Sequence, residues 1–299
     1  MKLVNETGVA VKYKSQRKRR IITNTFAYIF LIALCLIWVL PIIGVFMTAL
    51  RNEKGVATTF IPAKGFTFDN FARLFVDKNF TSMFPYLRWV GNTLLVALLS
   101  MLISTVFTIS VAYTMSRLRF KSRKTLMSVN LILGMFPGFM SMIAVYNILS
   151  VLQLDGKLIA LVIVYSASSG MGFYVAKGFF DTISKSLDEA AKIDGASNAK
   201  VFFKIIFPLS KPIIVYTMLL SFMGPWVDYI FSSIILGDQT QNYTIAVGLY
   251  QLISSIDREV EYFTTFFAGA SLISIPIMTL FLLTQKYYVG GITGGAVKG

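Results

Sequence analysis

Six stretches of this chain are apolar for long enough to cross a bilayer as helices, and that constrains the fold before anything else. They are residues 21–50, 89–115, 125–149, 158–180, 212–236 and 263–285. Roughly 30 Å of hydrocarbon takes about 20 helical residues. In lipid every backbone N–H and C=O must be paired within the structure, so a run of this kind reads as a helix. The sequence therefore predicts an all-α integral membrane protein with six transmembrane helices. The fourth span is the weakest, being interrupted by "SASSGMG". Pro41, Pro137, Pro225 and Pro276 fall within spans, where a kink is tolerated if neighbours satisfy the freed carbonyls. Composition agrees: 14% of residues are charged, against about a quarter in soluble domains.

The chemistry available to the chain is narrow. It has no histidine, which removes the commonest general base and metal ligand. Its single cysteine, Cys35, lies in an apolar run and can form neither an internal disulfide nor a Cys-rich metal site. No G-x-x-x-x-G-K-[ST] segment is present to cradle nucleotide phosphates. No catalytic residue or metal site is expected, and the composition argues against a soluble redox, zinc or Ser-His enzyme.

The net charge of +14 does not point to nucleic acid, because the basic residues cluster beside apolar runs. Twenty of the 28 lysines and arginines lie before the first span, in "RLRFKSRK" (117–124), between residues 177 and 211, or after the last span. The positive-inside rule places those segments and both termini in the cytoplasm. The start "KYKSQRKRRI" resembles a signal peptide, but the apolar run after it is too long and lacks an A-x-A site, so it reads as a retained span. The organisation expected is a basic cytoplasmic N-terminus (1–20), then a first span with an extracytoplasmic loop (21–85). A core transmembrane domain (86–290) and a cytoplasmic tail (291–299) follow. The outer loop, with Phe66, Phe68, Phe71 and Phe75, is long enough for a small cap.

One cytoplasmic segment looks shaped: "SLDEAAKIDGASNAKVFFKIIFPLSKP", residues 186–212. Ser186 and Glu189 have capping-box spacing. Leu187, Ala190, Ala191 and Asp194 then form a small stripe, with Asp188, Glu189 and Lys192 directed elsewhere. Gly195 stands where a left-handed residue ends a helix. Ser197 or Asn198 can cap a second helix that Pro208 stops or kinks. Physics leaves two readings of this helix-turn-helix: an amphipathic connector on the bilayer, or a rigid knob docking in a partner's groove.

The same residues carry a resemblance that favours the second reading. Glu189-Ala190-Ala191, three residues, Gly195, nine residues, then Ile205-Ile206-Phe207-Pro208 resembles the E-A-A-x3-G-x9-I-x-L-P loop of bacterial binding-protein-dependent ABC importer permeases, with Phe207 at the leucine. The resemblance runs from about Tyr86 to the C-terminus, through "RWVGNTLLVALLS", "AYTMSRLRFKSRKTL", "MFPGFMSMIAVYNIL", "IDGAS" and "WVDYIFSSIIL". These fit the carbohydrate branch, and "GGITGGAVKG" resembles the tail of maltose/maltodextrin permeases. Ala144 and Ser184 depart from the pattern, standing where proline is expected. The resemblance implies a type I ABC importer permease fold, with residues 186–208 as a coupling helix held by an ATPase subunit. It also implies a second, MalF-like permease subunit, two cytoplasmic ATPase subunits and an extracytoplasmic solute-binding protein. No cofactor would be held by this chain; ATP and Mg would sit on the ATPases. Gly294, Gly295 and Lys298 would reach the ATPase dimer, or else form an end without a partner.

A sugar path needs hydroxyl partners and aromatic faces. Candidates are Tyr146, Asn147, Ser168, Ser169, Tyr174, Trp226, Asp228, Tyr229 and Ser233. Asp228 is the sharpest, since an ionisable group within a span is costly; contact with sugar and a structural role both fit it. The alternative function is a self-sufficient ion-coupled carrier or channel, which would want relay residues in several spans.

Overall fold

The computed structural model describes residues 16–56, 59–167 and 172–296. Among them the regular structure is helical: α1 (Gln16–Ala49), α2 (Asp69–Arg73), α3 (Lys78–Met83), α4 (Tyr86–Arg117), α5 (Arg123–Gly134), α6 (Gly138–Val151), α7 (Leu158–Ala167), α8 (Gly172–Thr182), α9 (Ser186–Ile193), α10 (Asn198–Val201), α11 (Phe207–Leu209), α12 (Lys211–Val227), α13 (Ile230–Leu236), α14 (Ile245–Gln251) and α15 (Ile256–Ala296). Three helices, Arg20–Ala49 within α1, α4 and Ile256–Tyr287 within α15, are each long and apolar enough to span a membrane. Among the described residues three bent pairs raise that number to as many as six, if each pair is one span.

The third span is not one rod. α5 and α6 meet at 100°, because Pro137 has no N–H to continue the ladder and biases the residue before it away from helix. Its own φ and ψ of −57° and 124° are extended, and it starts α6. In the fifth span the helix does not stop at Pro225. α12 carries Pro225 inside it and ends at Val227; Asp228, with ψ of 107°, is where the chain leaves the helix before α13.

α4 is the centre of the core. It packs against α12, α8 and α7 along a stripe of small residues that includes Ala97, Ser100, Ser104, Thr108 and Ala112. Small side chains let helices approach closely where the apolar solvent supplies no hydrophobic drive. Two hydroxyls of α4 bond back to their own helix: Thr93 donates to the Trp89 carbonyl (2.8 Å) and Ser100 to that of Val96 (2.6 Å). At the tyrosine end of α4, Asn92 donates to the carbonyls of Gln241 (2.9 Å) and Tyr243 (3.0 Å). Thr93 also accepts the amide of Ile245 (2.7 Å). The Asn-Thr pair therefore clasps the loop before α14.

α1 stands largely apart. Its apolar surface is exposed over most of its length, with Cys35 exposed on it, and it meets α15. In the segment between α1 and α4, Arg51 is buried and pairs with Glu53 at 3.3 Å. Asn70 donates to the carbonyls of Ala49 (2.9 Å) and Arg51 (2.8 Å). Phe66, Phe68 and Phe75 are exposed, whereas Phe71 packs on the core.

Candidate functional site

The end of the bundle opposite the Asn-Thr clasp carries the helix-turn-helix. α9 ends as its sequence requires. Gly195 has φ of +76°, its amide donates to the Lys192 carbonyl (3.0 Å), and the Ala196 amide donates to that of Ala191 (2.9 Å). This is the paired-bond glycine termination that a left-handed residue permits. Ser197 caps α10 by accepting the Lys200 amide at 3.3 Å. A π-turn over Phe202–Ile206 follows, in which the Phe207 amide reaches back to Phe202. Pro208 then lies within α11, and the chain bends by 79° into α12.

The start of α9 differs from expectation. Ser186 and Glu189 do not form a capping box, and Ser186 is already inside the helix. Ser184, the departure from proline, does that work: its hydroxyl accepts the Ser186 amide (3.3 Å) and shares a hydrogen bond with the Ser186 hydroxyl (2.7 Å). Leu187, Glu189, Ala190, Ile193 and Asp194 are exposed, while Ala191 packs inward. Asp188 does not point away from the protein. Its side chain is only 14% exposed and pairs with Arg117 at 3.4 Å. Arg117, at the end of α4, also donates to the carbonyls of Phe180 (2.8 Å) and Ile183 (2.7 Å). Beside it Ser116 donates to Asp181 at 2.6 Å, and Lys177 pairs with the same carboxylate at 2.5 Å. The basic run that began at residue 117 had read only as topology; its first member is a buried junction between three helices. Ile205 and Pro208 lie on the second arm, next to buried Ile206 and Val201.

Between α4, α7, α8 and α12 lies a partly open cavity of about 200 Å³ lined by Ser104, Thr108, Tyr165, Gly172, Tyr216, Thr217, Leu220, Ser221 and Gly224. Ser104 and Ser221 share a hydrogen bond across it at 3.1 Å, and Thr108 offers a buried hydroxyl with no hydrogen-bond partner. The signal for this cavity was the four-residue spacing of Ser104 with Thr108 and of Thr217 with Ser221, which puts each pair on one helix face.

Among the described residues, none of those singled out in the sequence is on this cavity's wall. Asp228 accepts from the Tyr165 hydroxyl at 2.5 Å, the Phe231 amide at 3.1 Å and the Ser232 hydroxyl at 3.4 Å, so it caps the restart of the helix. Trp226 is buried against Phe222, with a ring separation of 5.8 Å. Tyr229 lies on Tyr250 (4.4 Å), and Ser233 bonds back to the Ile230 carbonyl at 2.9 Å. Tyr174 stacks on Phe173 at 4.2 Å and its hydroxyl donates to the Met127 carbonyl. Tyr146 is half-buried and Asn147 exposed on α6. Gly294 and Gly295 continue α15. Ser168, Ser169 and Lys298 lie outside the described residues.

Fold and site together define a polytopic membrane subunit with a shaped helix-turn-helix at one face, and the relatives agree. Residues 108–293 match the family described as binding-protein-dependent transport system inner membrane component. The chain is 36% identical over 282 residues to the galactooligosaccharides transport system permease protein GanQ of Bacillus subtilis (strain 168), covering 94% of this chain and 98% of the relative. It is 33% identical to the maltodextrin transport system permease protein MalD of Streptococcus pneumoniae (strain ATCC BAA-255 / R6), covering 95% and 99%. Against the maltose/maltodextrin transport system permease protein MalG of Escherichia coli (strain K12) identity is 31%, covering 97% and 99%. A crystal structure of a bacterial ABC transporter that imports the acidic polysaccharide alginate shares the fold, with a TM-score of 0.71 at 21% identity over 94% of this chain and 100% of that one. The chain belongs to the binding-protein-dependent inner membrane transport components: it is a multi-pass permease subunit of a carbohydrate ABC importer, not an enzyme.

Proposed function

We propose that this permease imports an oligosaccharide of the maltodextrin or galactooligosaccharide class and that α9 docks on a separate ATPase. The observation that carries the docking reading is the exposed, glycine-terminated helix-turn-helix over residues 186–208. A helix of two turns is marginal alone; here it is held at its base and left open on the face bearing Glu189, Ala190 and Ile193. Both termini, the 117–124 loop and this segment face the cytoplasm in this reading, by their lysine and arginine content.

ATP and Mg belong to two ATPase subunits, and their closure moves α9 as a rigid body. A cavity of about 200 Å³ is smaller than the ~300 Å³ at which small-molecule pockets begin. An oligosaccharide therefore needs walls from a second permease subunit, of the MalF type, with an extracytoplasmic solute-binding protein delivering it. The hydroxyls of Ser104, Thr108 and Ser221 supply hydrogen-bond partners on this side.

The test is co-purification from solubilised membranes of the wild-type chain and of Gly195→Glu. No side chain lies near Gly195 for the new one to strike, but its φ is one that only glycine adopts readily. The expected result is an ATPase and a second permease with the wild type, and loss of the ATPase with the variant. A wild-type chain that purifies alone overturns the proposal.

A further inference from the structure

We propose that Arg117 and Asp188 form the mechanical link between α9 and the transmembrane core, so that breaking their ion pair separates ATP hydrolysis from sugar movement. This rests on the reading of α9 as the ATPase-docking element.

α9 is joined to the protein by few groups. Its N-terminal side is a short turn from Ile183 to Lys185, and its C-terminal side is the Gly195 turn. Between them Ala191 supplies an apolar contact with the cluster around Phe180 and Ile206. Asp188 supplies the charged contact with Arg117. An alanine contact can slide, whereas a charge pair fixes direction.

Arg117 suits the task. Its side chain is 3% exposed, and a guanidinium presents several donors in one fixed plane. One nitrogen holds the carbonyls of Phe180 and Ile183 at the end of α8, and the other faces Asp188. Arg117 is the last residue of α4, which packs against α7, α8 and α12. Ser104 and Thr108 of that same helix line the polar cavity. A push on α9 therefore reaches the cavity wall through a single rigid helix. The neighbouring Ser116–Asp181–Lys177 cluster is built from residues of α4 and α8 and ties those two helices together.

Asp188→Asn keeps the shape and removes the charge; Asp188→Glu keeps the charge. The assembled complex, with its ATPases and binding protein, is reconstituted in lipid vesicles. Uptake of labelled maltodextrin and galactooligosaccharide, whichever the wild type imports, is measured against ATP hydrolysed. The expected result is that Asp188→Asn still captures the ATPase and hydrolyses ATP while sugar imported per ATP falls by about tenfold, and that Asp188→Glu restores most of it. In a double-mutant cycle, Arg117→Gln combined with Asp188→Asn is no worse than Arg117→Gln alone. Unchanged coupling in an intact Asp188→Asn complex, or additive losses in the cycle, overturns the link and leaves the docking reading standing. If Arg117→Gln fails to assemble, the Asn and Glu variants decide by themselves. A wild-type chain that captures no ATPase overturns both proposals.

Discussion

A Cβ on Gly248 would stand 2.2 Å from the indole ring of Trp89, so α14 meets α4 at this point only because residue 248 has no side chain. Trp89 is 1% exposed and its Nε1 donates to the Thr240 carbonyl at 3.1 Å. The ring is held from both sides and has nowhere to retreat. Gly248→Ala should cost ~1–3 kcal/mol by overpacking, read as a lower thermal unfolding midpoint of the detergent-solubilised protein. An unchanged midpoint would mean that the ring moves freely.

Thr93 makes a sharper test of the same corner. Its hydroxyl accepts the amide of Ile245, a residue with no exposed surface. Thr93→Val is nearly isosteric but strands that amide, at ~1–3 kcal/mol. Thr93→Ser should recover most of the loss, because the acceptor returns. Valine and serine variants of equal stability would show that the hydroxyl contributes nothing.

The turn after α9 predicts an order among substitutions. With φ of +76° at Gly195 and no neighbour near a new Cβ, any penalty is conformational. Asparagine visits this region, alanine pays ~1–2 kcal/mol and a β-branched residue more. The amount of ATPase retained on purification should fall from Asn to Ala to Val at this position. A flat series would show that α9 docks without its glycine turn.

Acid should loosen the segment after α1 before the bundle. Glu53 is held below the usual carboxylate range, first by the hydrogen bond from the Lys64 amide and with help from Arg51. A carboxylate whose folded pKa is depressed stabilises the fold above its ordinary pKa, and that contribution is lost as pH falls through the folded value. Hydrogen exchange over residues 50–56 and 59–67, corrected for the intrinsic slowing of amide exchange at lower pH, should therefore accelerate on acidification, and Glu53→Gln should remove that dependence. Acceleration that persists in the glutamine variant would place the cause elsewhere.

Asp228 separates its two roles by one comparison. Its carboxylate caps the restart of the helix at Phe231 and receives Tyr165, which is structural work. Asp228→Ala should cost ~1–2 kcal/mol as a lost cap, while Asp228→Asn, which keeps an acceptor, should import sugar nearly as the wild type does. A raised KM for uptake at unchanged stability in the Asn variant would instead make it a sugar contact.

Local features of the molecule were legible in the chain. The six spans could be read from apolar runs because lipid leaves the backbone no alternative to internal pairing. The Gly195 termination and the Ser197 cap were legible because they involve residues within a few positions of one another. The capping box was misread for a related reason: Ser184 and Ser186 both offer a hydroxyl at the start of α9, and only the path taken from α8 selects Ser184. In the fifth span the helix passes through Pro225 and ends where Asp228 can accept an amide and a tyrosine together.

The sequence by itself determined the membrane class, the number of crossings, and the existence and shape of the loop over residues 186–208, because hydrophobic length, charge placement and short-range hydrogen bonds act within one segment at a time. The tertiary structure alone decided that Arg117 is a junction, that Asp188 turns inward, and that Ser104, Thr108, Thr217 and Ser221 share a cavity. Each of those depends on which faces of distant helices meet. Arg117 and Asp188 are 71 positions apart, and no periodicity within either helix records the angle at which α4, α8 and α9 come together.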